Sequence, residues 1–222
     1  YLTSVARPLM DHLERSDTRY DFHLLVGSGV ENAMALPGGH IIFTEELMET
    51  WIDNEAQLAT VVGHEIAHVE RRHSAALIGY CEFLGMDPND QISQILVGVG
   101  TLPFSSKQEE EADRVGAGMM HQSGYSVFQS VEMWEEVATR YSSESSTPAG
   151  IEIPDGLPIP GGILERGLDE LENLLTTHPD SELRACRLKQ VAKTLYDEAP
   201  LQRAYVGETN WRRRVPFGKT EY

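Results

Sequence analysis

The segment Gly63-His64-Glu65-Ile66-Ala67-His68 constrains this chain most, because it sets three titratable side chains inside a stretch that otherwise reads as buried helix. From Glu55 to Leu77, residues Leu58, Val61, Val62, Ile66 and Val69 predict one continuous helix with a broad apolar face. Ala56, Ala59, Gly63 and Ala67 are small, so neighbours are expected to pack closely on several sides. Imidazoles buried in such a helix are costly without partners. His64 and His68 share one face with their Cβ atoms about 6 Å apart, near enough to hold one ion. Glu65 projects about 100° round from His64. From there its carboxylate can reach an open coordination position without ligating the metal. A catalytic zinc site needs that arrangement, so the segment implies a metal-dependent hydrolase.

A core to surround this helix is available, since 41% of the 222 residues are hydrophobic. One domain over residues 1–222 is expected, with a core over about residues 20–196, a flexible loop over 142–162 and a C-terminal tail over 197–222. The net charge of −17 argues against nonspecific binding to nucleic acid or anionic lipid. No apolar run is long enough to span a bilayer, and the best stretch, Ile95 to Phe104, contains Gly98, Gly100 and Pro103. Peripheral membrane association is compatible with this reading. So is removal of a targeting or anchoring segment ahead of Tyr1. Cys81 and Cys186 could form one bridge or stay as thiols.

Along the chain, Leu2 to Leu13 suits an amphipathic helix and Phe22 to Val26 a strand. Asn32 to Thr44 reads as two short strands around Pro37-Gly38-Gly39. It is either an ordinary hairpin or an edge to which an extended peptide could add. Thr44 looks like an N-cap with Glu45 and Glu46 in the first turn behind it. His73, five residues past His68 and about 140° round a continuous helix, is expected at the surface or in a cap. A helical connector follows over residues 74–104, broken at Asp87-Pro88-Asn89-Asp90.

The next helix opens at Ser105 and carries Glu109 and Asp113 on one face. Its acids could simply favour the helix dipole. Their spacing also offers a third metal ligand and an acceptor that orients a ligand. Val127 to Tyr141, Glu165 to Leu175 and Ser181 to Tyr196 are further expected helices. Arg212, Arg213 and Arg214 are expected as a solvated basic patch or, alternatively, as a local partner for the acidic body.

His64-Glu65-Ile66-Ala67-His68, Glu109 to Asp113, Asn32 to Gly39, and His178-Pro179 with Arg184 occur in an order that resembles the mini-gluzincin zinc endopeptidases. That group includes the CAAX prenyl protease, the HtpX heat-shock peptidase and the mitochondrial inner-membrane quality-control peptidase. The resemblance covers Phe22 to Arg184 and lies closer to the soluble or periplasmic branch. It implies an α+β, mostly helical zincin-like fold with a small sheet beside the His64 helix. It further implies one Zn²⁺ per chain on His64, His68 and Glu109, with Asp113 orienting a ligand histidine.

Glu65 would be the base, and His178 and Arg184 would polarise the scissile carbonyl or hold the tetrahedral intermediate. Asn32, Ala33, Met34, Ala35 and His40 would align the substrate backbone. Substrates would be proteins or peptides, among them misfolded envelope proteins, in a bacterial periplasm or envelope, or alternatively the mitochondrial intermembrane space. The sequence departs from the family pattern at Lys107 and at Glu45-Glu46. A competing expectation is a latent or noncatalytic zinc module that binds unfolded envelope proteins, with His178 closing the site.

Overall fold

The computed structural model describes residues 1–15, 17–36, 38–73, 104–143 and 181–217. The connector over 74–103, the 142–162 loop beyond Ser143, the 165–175 helix and His178 lie outside the described residues. The fold is α+β and mostly helical, with one three-stranded sheet. Its elements are α1 (Leu2–Met10), β1 (Asp21–Leu25), β2 (Ala33–Leu36), β3 (His40–Thr44), α2 (Glu45–Thr50) and α3 (Glu55–Glu70). After these come α4 (Ser106–Gln122), α5 (Phe128–Ser143), α6 (Ser181–Glu198) and α7 (Glu208–Arg213).

Every residue of α3 is buried, because α1, α4, α5 and β2 all pack around it. A helix enclosed on all sides cannot be held by one apolar stripe, and its small residues are what let the neighbours in. The closest approach is to α4, where Gly63 meets Gly116. A Cβ on Gly116 would stand 2.9 Å from the Gly63 carbonyl carbon and 3.0 Å from the His64 nitrogen. This contact brings the helix of His64 and His68 against the helix of Glu109 and Asp113. Asn54 starts α3 by accepting from the Gln57 N–H at 2.9 Å while its amide donates to Gln129 at 2.7 Å.

In the sheet, β3 lies between β1, to which it is parallel, and β2, to which it is antiparallel. Ala33 pairs with Phe43 and Ala35 with Ile41, and all four are buried. Met34, His40 and Ile42 alternate onto the opposite face. The turn between β2 and β3 depends on Gly38 and Gly39, both at φ 87°. Thr44 caps α2 as expected, and its hydroxyl also accepts from the Asn32 N–H at 2.8 Å.

The helix expected over Glu55 to Leu77 ends at Glu70. Arg71 is its C-cap and Arg72 takes a left-handed conformation, φ 56°. The Arg72 N–H donates to the Val69 carbonyl at 3.0 Å, the reversed turn that closes many helices. The tail also differs from a purely solvated patch. Arg212, Arg213 and Arg214 are exposed, but Trp211 just before them is buried, with Arg214 stacked over its ring at 3.5 Å.

Candidate metal centre

His64 and Glu65 project from the middle of α3 and His68 from its last turn, and Glu109 and Asp113 from the first turns of α4. Helical spacing places each pair on one face, and the Gly63–Gly116 contact sets the two faces together. His64 Nε2 and His68 Nε2 stand 3.0 Å apart. Glu109 reaches both, at 3.4 Å from His64 Nε2 and 3.4 Å from His68 Nε2. Donors held about 2.0–2.2 Å from one tetrahedral ion stand about 3.3–3.6 Å apart; both distances to Glu109 fall in that range and the histidine pair stands slightly closer, so the set suits zinc.

The electrostatics agree with a divalent cation. Among the described residues of the centre, the carboxylates of Glu65, Glu109 and Asp113 and the guanidinium of Arg184 are all buried. With neutral histidines they leave two formal negative charges. Burial and the Arg184 charge push the His64 imidazole down, yet the Glu109 and Asp113 carboxylates outweigh them and hold its pKa up at about 9. In the metal-free chain, a proton on His64 therefore takes up part of the charge that a cation would cancel.

The other ring nitrogens are held as well. Asp113 Oδ1 lies 2.9 Å from His64 Nδ1, which leaves Nε2 to face the centre. Asp113 stays well below the usual carboxylate range despite its burial, because Arg184 and His64 stabilise its charge. Arg184 enters from α6, only 1% exposed. It donates from Nε at 3.0 Å and from Nη2 at 2.5 Å to the two oxygens of Asp113. Its Nη1 stands 3.2 Å from Glu109, and the guanidinium lies over the Trp134 ring at 3.8 Å. Its Nη2 also lies 3.1 Å from His64 Nδ1, so Arg184 packs against both the carboxylates and one of the histidines they organise.

His73 is not at the surface. The reversed turn at Arg72 folds it back until its Nδ1 is 3.0 Å from His68 Nδ1, and only 6% of the residue is exposed. Glu111 lies 3.6 Å from its other nitrogen. Burial pushes the His73 pKa down against the pull of Glu111. Phe104 stacks on His68 with centroids 3.9 Å apart. The continuous-helix reading hid His73, since five residues on an unbroken helix do not meet.

Of the residues expected to align a peptide, Ala33 and Ala35 are turned into the core and Asn32 is buried, its N–H and carbonyl both bonded to Thr44. What β2 can offer a peptide is therefore main chain. Met34 and His40 are on the other face, where His40 Nδ1 lies 3.2 Å from His23 Nε2. Cys186 is exposed as a free thiol, and Cys81 is outside the described residues.

Comparison with known proteins agrees with this geometry. The chain is 31% identical over 147 residues to the mitochondrial metalloendopeptidase OMA1 of Schizosaccharomyces pombe, a match covering 62% of this chain and 43% of that protein. It is 29% identical over 178 residues to the beta-barrel assembly-enhancing protease of Escherichia coli, covering 71% of this chain and 36% of that protein. The Arabidopsis thaliana OMA1 is 27% identical over 179 residues, covering 75% of this chain and 30% of that protein. The chain thus spans less than half the length of these relatives. The model of peptidase family M48 matches residues 1–192, and the chain belongs to that family.

Proposed function

We propose that the chain is a zinc-dependent endopeptidase that hydrolyses peptide bonds of protein substrates, with His64, His68 and Glu109 holding one Zn²⁺. The observation that carries this reading is the convergence of these three donors within 4.8 Å of one another, with Glu65 on the same helix. Zinc bound there would supply Lewis acidity, lowering the pKa of water towards about 7 and polarising a carbonyl.

The protein's own groups do the rest. Glu65 accepts a proton from the attacking water and returns it to the leaving amine, a role worth about 10²- to 10⁴-fold. Asp113 holds His64 in the tautomer that turns Nε2 inward, and Arg184 keeps Asp113 ionised and holds Glu109 in place. His178 is assigned to stabilising the oxyanion by family resemblance, and the β2 main chain to aligning substrate.

A role in protein quality control is the biological setting that the names of the relatives support, one a metalloendopeptidase of mitochondria and one a protease that enhances β-barrel assembly. The bacterial envelope, or alternatively the mitochondrial intermembrane space, is the compartment we assign, with misfolded proteins there as substrates. Among the described residues no helix is long and apolar enough to cross a membrane. Casein hydrolysis tests the chemistry. A chelator should abolish it and one equivalent of zinc restore it, whereas chelator-resistant hydrolysis would exclude this mechanism.

A further inference from the structure

Helix α3 places His68 as the third residue from its C-terminal end, counting Glu70 as the last. Helices that close through a left-handed residue bring the second residue past the cap back against that third position. Here Arg71 is the cap, Arg72 the left-handed residue and His73 the second residue past the cap. A contact usually made by two apolar side chains is made here by two imidazoles, both buried.

The geometry points to His73 as a positioning residue for the metal centre: its Nδ1 accepts the Nδ1–H of His68, fixing the tautomer that presents His68 Nε2 to zinc. The inference rests on the zinc reading above. Two nitrogens 3.0 Å apart need one donor and one acceptor. His68 Nε2 faces His64 Nε2 and Glu109, so as a ligand it must be unprotonated, and the proton belongs on His68 Nδ1. His73 Nδ1 is then the acceptor, and its own proton sits on Nε2, towards Glu111 Oε2 at 3.6 Å.

Glu111 is held in turn by Arg71 Nε at 3.2 Å. The chain His68, His73, Glu111 thus does for one ligand what Asp113 does directly for the other. Phe104, stacked on His68, restricts rotation of the ring from its face. Partners of this kind commonly raise metal affinity by about 10- to 100-fold.

The test compares His73→Phe, which keeps a flat ring and loses the acceptor, with His73→Asn, whose carbonyl can stand near the original Nδ1. Zinc affinity is read by chelator competition and fold integrity by melting of the metal-free proteins, with His64→Ala as the control. The expected result is a loss of about 10- to 100-fold for His73→Phe and within about 3-fold of wild type for His73→Asn. Equal affinity in His73→Phe and wild type, or an equal loss in both variants, overturns the positioning role. In either case a large loss in His64→Ala shows that the zinc site itself stands, and no loss there shows that it does not. Should His73→Phe fail to fold, long-range ¹H–¹⁵N spectra of the zinc-loaded wild type decide: the proposal requires His73 to carry its proton on Nε2 with Nδ1 bare, and a proton on His73 Nδ1 overturns it.

Discussion

At the scale of single residues, the proton and the zinc ion compete for His64. Its pKa of about 9 stands above the ordinary 6.5. In the metal-free fold this group therefore contributes stability that is complete below about 6.5 and is lost as pH rises through about 9. Zinc takes only the neutral imidazole, so apparent zinc affinity should rise about tenfold per pH unit up to about 9 from this group. Calorimetry near pH 7.5 in buffers of different ionisation enthalpy should count at least about one proton released per zinc, from His64, with any further release coming from zinc-bound water. A count near zero contradicts the charge balance drawn here.

Arg184 is the other residue whose removal is diagnostic. Arg184→Met would leave Asp113 and Glu109 buried without their cation, at a cost of about 3–5 kcal/mol. Urea unfolding of the metal-free protein measures it, and a loss below about 1 kcal/mol would mean that solvent reaches these carboxylates. The family resemblance marked Arg184 only as a group for the scissile carbonyl, and its pairing with Asp113, 71 positions away, was not visible in the sequence. By contrast His64, His68, Glu109 and Asp113 were legible, since a four-residue interval shares a helix face whatever the tertiary fold.

At the scale of elements, the approach of α3 to α4 sets the geometry of the donors. Gly116→Ala would gain up to about 1 kcal/mol of helix propensity. The new methyl, however, meets backbone at 2.9–3.1 Å, which cannot swing aside. Overpacking of about 1–3 kcal/mol should win, lowering the melting temperature and weakening zinc binding together. Gly118→Ala, in the same helix with nothing within 4 Å of the added methyl, should instead stabilise by about 0.5–1 kcal/mol. If the two substitutions behave alike, the close approach is not what spaces the helices. Apolar periodicity located most of these elements, yet it extended α3 past Glu70. A left-handed arginine carries none of the signal that a glycine there would, so the turn that delivers His73 to His68 went unread.

At the scale of the molecule, the two ends of the described chain meet at the start of α3. Glu55 is fully buried and accepts from the Tyr1 hydroxyl at 2.6 Å, the Tyr205 hydroxyl at 2.8 Å and the Phe217 N–H at 3.1 Å. Burial and the Glu55 carboxylate raise the pKa of Tyr1 and Tyr205 well above the ordinary value, so both remain donors. The Ala56 N–H, at the same end of the helix, donates to the Val206 carbonyl at 2.9 Å. Deleting residues 201–222 would strip two of the three bonds from a buried carboxylate and take the buried Trp211 out of the core, at a cost of about 2–5 kcal/mol. Thermal unfolding of the zinc-loaded protein should show the loss, and an unchanged melting temperature would mean that the tail is not part of the core.

The whole arrangement exists, on this account, to hold zinc beside Glu65, and Glu65→Gln tests that most directly. The substitution keeps size and removes the base, so zinc content should stay at one per chain while casein hydrolysis falls by about 10²- to 10⁴-fold. Turnover near that of the wild type, with zinc still bound, would contradict it.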